Sequence, residues 1–321
     1  MNAIDPAAVD LSAPLGARGR LPNPLSTASG CAGYGRELHR FTPLDRLGTL
    51  TTKTVMPYPR SGRATPRMAE TPSGMLNSIG LQGSGVAHLV ERELPWLAER
   101  GARVLVSVAG ERTEEFAEVA ARVAGAPGVV GIEVNISCPN VANRGLVFGC
   151  DPGASHEVVA AVRAAVDPAL PVYAKLTPDV TRITDIAAAC VEAGADGLSM
   201  INTVLGMSID PVTLRPALAG VTGGLSGPAV RPIALRCVYQ VYAAMTAGSV
   251  GRVPILGMGG VGSGADAFAL TLAGASGVAV GTALFGDPGA PIRILAELRE
   301  LLAGAGFASY EEAVGRAHRT I

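Results

Sequence analysis

The sequence predicts a (β/α)8 barrel, and three observations carry that expectation. From about residue 100 onward, short apolar strands alternate with amphipathic helices in six consecutive pairs. Two further strand candidates upstream bring the count to the eight that a closed parallel barrel requires. No G-x-G-x-x-G turn follows the first strand, although the competing architecture, a doubly wound open sheet, usually carries one.

Taken in order, "PLSTASG" and "TLTTKTVMP" read as the first two strands, and "HLVERELPWLAERG" as the helix after the second. "ARVLVSVAG" is the third strand, followed by the helix "TEEFAEVAARVAG" with Thr113 as its expected N-cap. In "VVGIEVNIS", Ile132, Val134 and Ile136 alternate with Glu133 and Asn135, the period of a strand, and "SHEVVAAVRAAVD" is the helix that follows. "PVYAKLTP" with "ITDIAAACVEAG", and "ADGLSMINT" with "PAVRPIALRCVYQVYAAM", repeat the pair, the latter across an intervening loop. "VPILGMGG" leads to "SGADAFALTLAG", and "ASGVAVGTAL" to "PIRILAELRELLAG".

With 321 residues, 48% hydrophobic and 17% charged, the chain is long enough for a full core, and its 41 glycines imply many tight turns. Residues 22–321 are expected to form a single barrel domain with loop insertions near 31–48 and 57–87; loops that long are usually functional. Residues 1–21 are expected to be a flexible leader and not a secretory signal, having no basic start followed by an apolar core. A net charge of -1 gives no reason to expect nucleic acid or an anionic membrane as partner. No run approaches the roughly 18 to 20 apolar residues of a membrane span. The five cysteines, Cys31, Cys138, Cys150, Cys190 and Cys237, include no C-x-x-C pair, so neither a disulfide framework nor a local iron–sulfur motif is expected, and a reducing cytoplasm is the simplest compartment.

Barrel enzymes carry function at the C-terminal ends of their strands. Those ends read Ser29, Lys53, Ser107, Asn135 with Cys138, Lys175, Asn202 with Thr203, Gly259 with Gly260, and Gly281 with Thr282. Lys53 and Lys175 end buried strands with no acidic partner nearby in sequence, which an anionic ligand would satisfy. In "VYAKL", Lys175 alternates with Val172 and Ala174 and is expected to point inward. The turns "GMGGVGSG" and "VGTALFG" follow the seventh and eighth strands, where barrels bind phosphate on backbone N–H groups. A lone cysteine is more often a small buried hydrophobe, and that reading suits Cys31, Cys150, Cys190 and Cys237. Cys138 differs because it sits on the first turn past a strand end, between two asparagines. His39, His88, His156 and His318 are scattered without metal-ligand spacing, and no metal is expected.

"STASG", "TTKTVMPYPRSGRATPRMAET", "GMLNSIGLQ", "EVNISCPN", "AKLTP", "INT", "GGLSGPA", "GMGGV" and "AVGTALF" occur in an order and spacing that closely resemble the class 1 dihydroorotate dehydrogenases, from about residue 22 to the C-terminus. The resemblance implies a (β/α)8 TIM barrel with FMN at its C-terminal mouth, oxidising (S)-dihydroorotate to orotate in pyrimidine biosynthesis. Cys138 would be the general base taking the C5 proton while C6 gives up hydride. Substrate contacts would fall on Lys53, Asn77, Ser78, Ile79, Gly80, Leu81, Asn135, Asn202 and Thr203. FMN contacts would fall on Ser29, Lys53, Thr54, Ser107, Asn135, Lys175, Ile201, Gly227, Gly259, Gly260, Gly281 and Thr282. At Ser107 many relatives carry asparagine, so this contact departs from the family pattern.

"GGLSGPAVRPIALRCVYQV" and "GRATPRMAET" look more like the class 1B type, which reduces NAD through a second subunit bearing FAD and a [2Fe–2S] cluster. That resemblance implies a homodimer core within a heterotetramer. The alternatives are a fumarate-linked class 1A enzyme and a dihydropyrimidine dehydrogenase-like flavoenzyme. Outside flavin chemistry, Lys175 could instead form a Schiff base, as in an aldolase.

Overall fold

The computed structural model describes residues 4–17, 19–137 and 148–319. Cys138 lies outside the described residues. The centre is a ring of eight parallel strands: β1 (Leu25–Thr27), β2 (Leu50–Thr51), β3 (Val104–Val108), β4 (Val129–Val134), β5 (Val172–Leu176), β6 (Gly197–Met200), β7 (Ile255–Met258) and β8 (Gly277–Val280). Neighbours in sequence pair in space, β8 returns to β1 with Val278 opposite Leu25, and a parallel bridge from Ser26 to Thr49 closes the ring. Each strand expected from the sequence is present.

The helices cover the outside of this ring because their apolar residues recur at helical spacing. The helix Thr113–Ala124 buries Phe116, Val119, Ala120 and Val123, one face of a 3.6-residue period. Its start differs from expectation. Arg112 is the N-cap, in extended conformation, and Thr113 is the first helical residue. The Thr113 hydroxyl donates instead to Glu157, the Glu115 carboxylate reaches back to accept from the Glu111 N–H at 2.7 Å, and among the described residues no side chain caps the helix start.

Alternation along the strands divides the apolar residues into two cores. Val106, Val108, Ile132, Val134, Val172 and Leu176 face the helices and belong to the large outer core. Leu105, Tyr173, Leu256, Met258 and Ala279 face inward and form a second, smaller cluster together with Leu15.

Leu15 belongs to the segment expected to be a flexible leader, and here the structure departs from the sequence reading. Ala13–Leu15 and Gly19–Leu21 form an antiparallel hairpin, with Val9, Leu11, Ala13 and Leu15 buried. The Gly16 N–H donates to the Tyr173 hydroxyl inside the barrel at 2.9 Å, and the Tyr310 N–H donates to the Asp10 carbonyl at 2.8 Å. The hairpin closes the N-terminal end of the barrel, and the physical reason is plain: without it the inner apolar cluster would meet water.

At the opposite end, the insertion at 57–87 forms the hairpin Met68–Thr71 and Gly74–Asn77. Gly223–Ser226 and Val204–Gly206 join it in a four-stranded antiparallel sheet beside the mouth. The insertion at 31–48 holds two single-turn helices, Leu38–Arg40 and Leu44–Arg46. Among the described residues no helix is long and apolar enough to cross a membrane.

Candidate active site

Above the inner apolar cluster the inward positions become polar. Ser107 stands opposite Glu133 in the β3–β4 pairing, and Lys175 opposite Ser199 in the β5–β6 pairing. All four are buried. The Lys175 ammonium, with its residue 3% exposed, donates to the Ser29 hydroxyl at 2.9 Å and lies 3.9 Å from Glu133 Oε1. Lys175 has no acidic partner nearby in sequence, but it has one in space: Glu133, on the neighbouring strand. Glu133 is 0% exposed, and among the described residues neither of its carboxylate oxygens has a hydrogen-bond partner.

One step nearer the mouth, a hydrogen-bonded network ties the ends of four strands together. Asn135 donates from Nδ2 to Thr54 Oγ1 at 3.0 Å, and Thr54 shares a 2.9 Å hydrogen bond with Ser107. The Asn135 Oδ1 accepts from the Ser137 hydroxyl at 3.0 Å and from Asn202 Nδ2 at 3.4 Å. Asn202 Nδ2 also reaches Ser137 Oγ at 2.6 Å, while Asn202 Oδ1 accepts from the Thr203 N–H at 2.8 Å. The two amides are thereby held in fixed orientation. Ser137, the last described residue before Cys138, is buried within this network.

Lys53 follows β2, half-buried, its backbone N–H donating to the Gly33 carbonyl at 2.8 Å. Cys31 lies where the fields of both lysines meet. Burial pushes its thiol pKa up, and the positive charges of Lys175 and Lys53 partly oppose that rise. Its thiol also lies 3.4 Å from where a side chain on Gly281 would begin, in keeping with a packing role.

The segment Asn77 to Leu81 lies on the mouth side. Asn77 donates from Nδ2 to the Gly224 carbonyl at 3.2 Å, and Gly224 is pressed so closely against Thr203 that a Cβ there would fall 1.9 Å from Thr203 Oγ1. The Ser78 N–H donates to the Arg67 carbonyl at 2.8 Å, and Ile79 accepts from the Arg63 N–H at 3.1 Å. Gly80 (φ 76°) and Leu81 (φ 53°) both take left-handed backbone.

Gly260 packs directly against Gly227 and Arg231: a Cβ on it would lie 2.9 Å from the Gly227 carbonyl and 2.7 Å from Arg231 Cβ, so the turn admits no side chain there. Gly259 and Gly260 have φ 126° and 75°, and the Ile201 N–H donates to the Met258 carbonyl at 3.0 Å just below them. Thr282, after β8, donates to Ser226 Oγ at 2.8 Å, which brings the eighth strand end to the same side. Glycine backbone turns at the strand ends, a buried cation and an oriented set of amides are the donor types that suit a phosphorylated, ring-bearing cofactor.

Sequence reasoning missed Glu133, Ser199 and Gly224. For Glu133 the signal was available, since the alternation that points Lys175 inward does the same for a glutamate flanked by Ile132 and Val134.

Residues 17–302 match a family model described as dihydroorotate dehydrogenase. The catalytic subunit of dihydroorotate dehydrogenase B (NAD(+)) from Anoxybacillus flavithermus is 49% identical over 92% of this chain and 92% of its own. The corresponding subunit from Geobacter sulfurreducens is 49% identical over 92% of this chain and 94% of its own. Among solved structures, DHODH from Eimeria tenella in complex with ferulenol aligns with a TM-score of 0.81 at 24% identity, covering 100% of this chain and 91% of that one, a likeness of fold.

Proposed function

The chain belongs to the dihydroorotate dehydrogenase family and is an oxidoreductase, and from that premise we propose that it oxidises (S)-dihydroorotate on FMN held at the C-terminal mouth of the barrel. The observation that carries this reading is the buried Lys175 beneath the Thr54–Ser107–Asn135–Asn202 network. Ser29, Lys53, Thr54, Ser107, Asn135, Lys175, Ile201, Gly227, Gly259, Gly260, Gly281 and Thr282 would hold the cofactor. Bound FMN supplies the acceptor for the hydride that leaves C6 of dihydroorotate. Lys175 provides a fixed positive charge where the bound ring gains electrons, and its strand holds that charge without reorganisation. Within this network Asn135 keeps one Nδ2 hydrogen and Asn202 one Oδ1 lone pair, a donor for a C=O edge and an acceptor for an N–H edge of a pyrimidine ring. Lys53 and the backbone N–H groups of residues 79–81 would bind the substrate carboxylate, with Asn77, Ser78 and Thr203 closing the same wall. Cys138, which follows Ser137 in sequence, would take the C5 proton.

The anaerobic visible spectrum of the purified chain tests this reading. A flavin band that dihydroorotate bleaches is the expected result. A flavin band that dihydroorotate leaves unchanged would reassign the substrate, and a colourless protein that takes up no FMN would overturn the cofactor.

For the acceptor, the names of the similar relatives support NAD reached through a partner subunit; a partner bearing FAD and a [2Fe–2S] cluster, on a homodimer core in the cytoplasm, is what the class 1B resemblance adds. Exposed Leu205, Ile209, Val212 and Leu214 form part of an apolar surface of the kind that protein contacts cover. NADH formation that appears once the partner subunit is added supports this reading; turnover of the isolated chain with fumarate would replace it with the class 1A reading.

A further inference from the structure

We infer that Glu133 is a positioning residue that offsets the charge of Lys175 and thereby sets the reduction potential of the flavin; the inference rests on the FMN reading above. Glu133 lies within the barrel interior, fully buried, with no hydrogen bond to either carboxylate oxygen among the described residues. An isolated carboxylate in such a place is strongly disfavoured, and a purely structural position would carry an apolar residue, as Leu105 and Leu256 do in the inner cluster. The groups around it are Ser107 from β3, Tyr173 and Lys175 from β5, and Ser199 from β6, with Lys53 and Cys31 beyond Lys175. Of these, Lys175 at 3.9 Å is the charge that pairs with it. The Lys175 ammonium gives its short hydrogen bond to Ser29, so Glu133 acts on it through charge at slightly longer range. In a buried site that field is weakly screened. Lys175 alone would favour the electron-rich form of a bound flavin strongly; Glu133 moderates that bias.

The test is the flavin midpoint potential of the Glu133→Gln holoenzyme, measured beside the parent. The expected shift is about tenfold towards reduced flavin in the redox equilibrium, about 30 mV more positive for a two-electron couple. Glu133→Asp, which keeps the charge, is expected to lie between the two. An unchanged or more negative potential in Glu133→Gln, or an equal shift in Glu133→Asp, would overturn the inference. Should Glu133→Gln not fold, melting temperatures of Lys175→Gln and of the double variant decide the matter. The double variant is expected to melt higher because it removes the stranded carboxylate, and a double variant no more stable than Lys175→Gln would overturn the pairing. A parent chain that binds no FMN would overturn the flavin reading and this inference with it, whereas a flavin-bound protein whose potential ignores Glu133 overturns this inference alone.

Discussion

At the N-terminal end of the barrel, Leu15 and Leu21 of the hairpin meet Leu105, Tyr173 and Leu256, and the space left between them is a cavity of about 20 Å³. Two residues further along two of the same strands, the inward positions are Ser107 and Lys175, and across from them stand Glu133 and Ser199. Beyond these, the mouth opens beside a polar cleft of about 320 Å³ lined by Pro59, Arg60, Ser61, Gly62, Arg63 and Gly80. One alternation pattern thus supplies both an apolar plug and a polar floor. The plug stabilises the fold, the floor positions charge, and substitutions at the two ends should separate stability from turnover.

The largest effect is expected at the mouth. Cys138→Ala should retain FMN yet lose about a thousandfold or more in turnover, in line with the removal of a general base. Steady-state rates alongside flavin content check this, and normal turnover would remove the base assignment. Gly260→Ala comes next. Its φ of 75° and the 2.7 Å approach to Arg231 Cβ leave no room for a methyl, so FMN affinity should fall by at least tenfold with the barrel still folded, as flavin fluorescence on titration would show.

At the plugged end the pattern should invert. Leu15→Ala is expected to lower unfolding stability by about 2 kcal/mol through cavity formation, with kcat and the flavin spectrum unchanged. Denaturant unfolding together with kinetics would test the separation, and a loss of turnover without a loss of stability would break it. Tyr173→Phe should cost about 1 kcal/mol at neutral pH, because the Gly16 N–H loses its acceptor. Burial pushes the Tyr173 hydroxyl up to about 12, with the Gly16 hydrogen bond opposing and the Asp196 charge adding. A folded-state pKa raised above the ordinary value of about 10 gives stability that is complete below pH 10 and is lost as pH rises to 12. The deficit of Tyr173→Phe should therefore shrink between pH 10 and 12, which melting curves across that range would reveal.

The floor was more legible in the sequence than the plug. Lys175, Asn135, Asn202 and the turns at Gly259 and Gly281 all follow apolar strands, so counting strands placed them at one mouth. The alternation that points Glu133 inward was legible, but its pairing with Lys175 was not, because the partner lies on the neighbouring strand some way along the chain and such a pairing has no local signature. The hairpin at 13–21 escaped for a different reason. "APLGARGRL" has neither a clear alternation nor a strong turn dipeptide, and Leu15 is buried by the barrel end it closes. Thr113 has a residue type that favours a cap, but the helix starts one residue earlier than that reading requires, with Arg112 as N-cap and Thr113 inside the first turn. The mouth sheet combines strands from 68–77 and 204–226, a long-range pairing that short alternating runs do not announce.

A crystal structure of the chain with FMN and orotate tests the division between floor and plug most directly. The account predicts FMN against Lys175, Ser29 and the glycine turns, with orotate between Asn135 and Asn202 and the hairpin undisturbed at the other end. Flavin bound away from Lys175, or orotate out of reach of both amides, would contradict it.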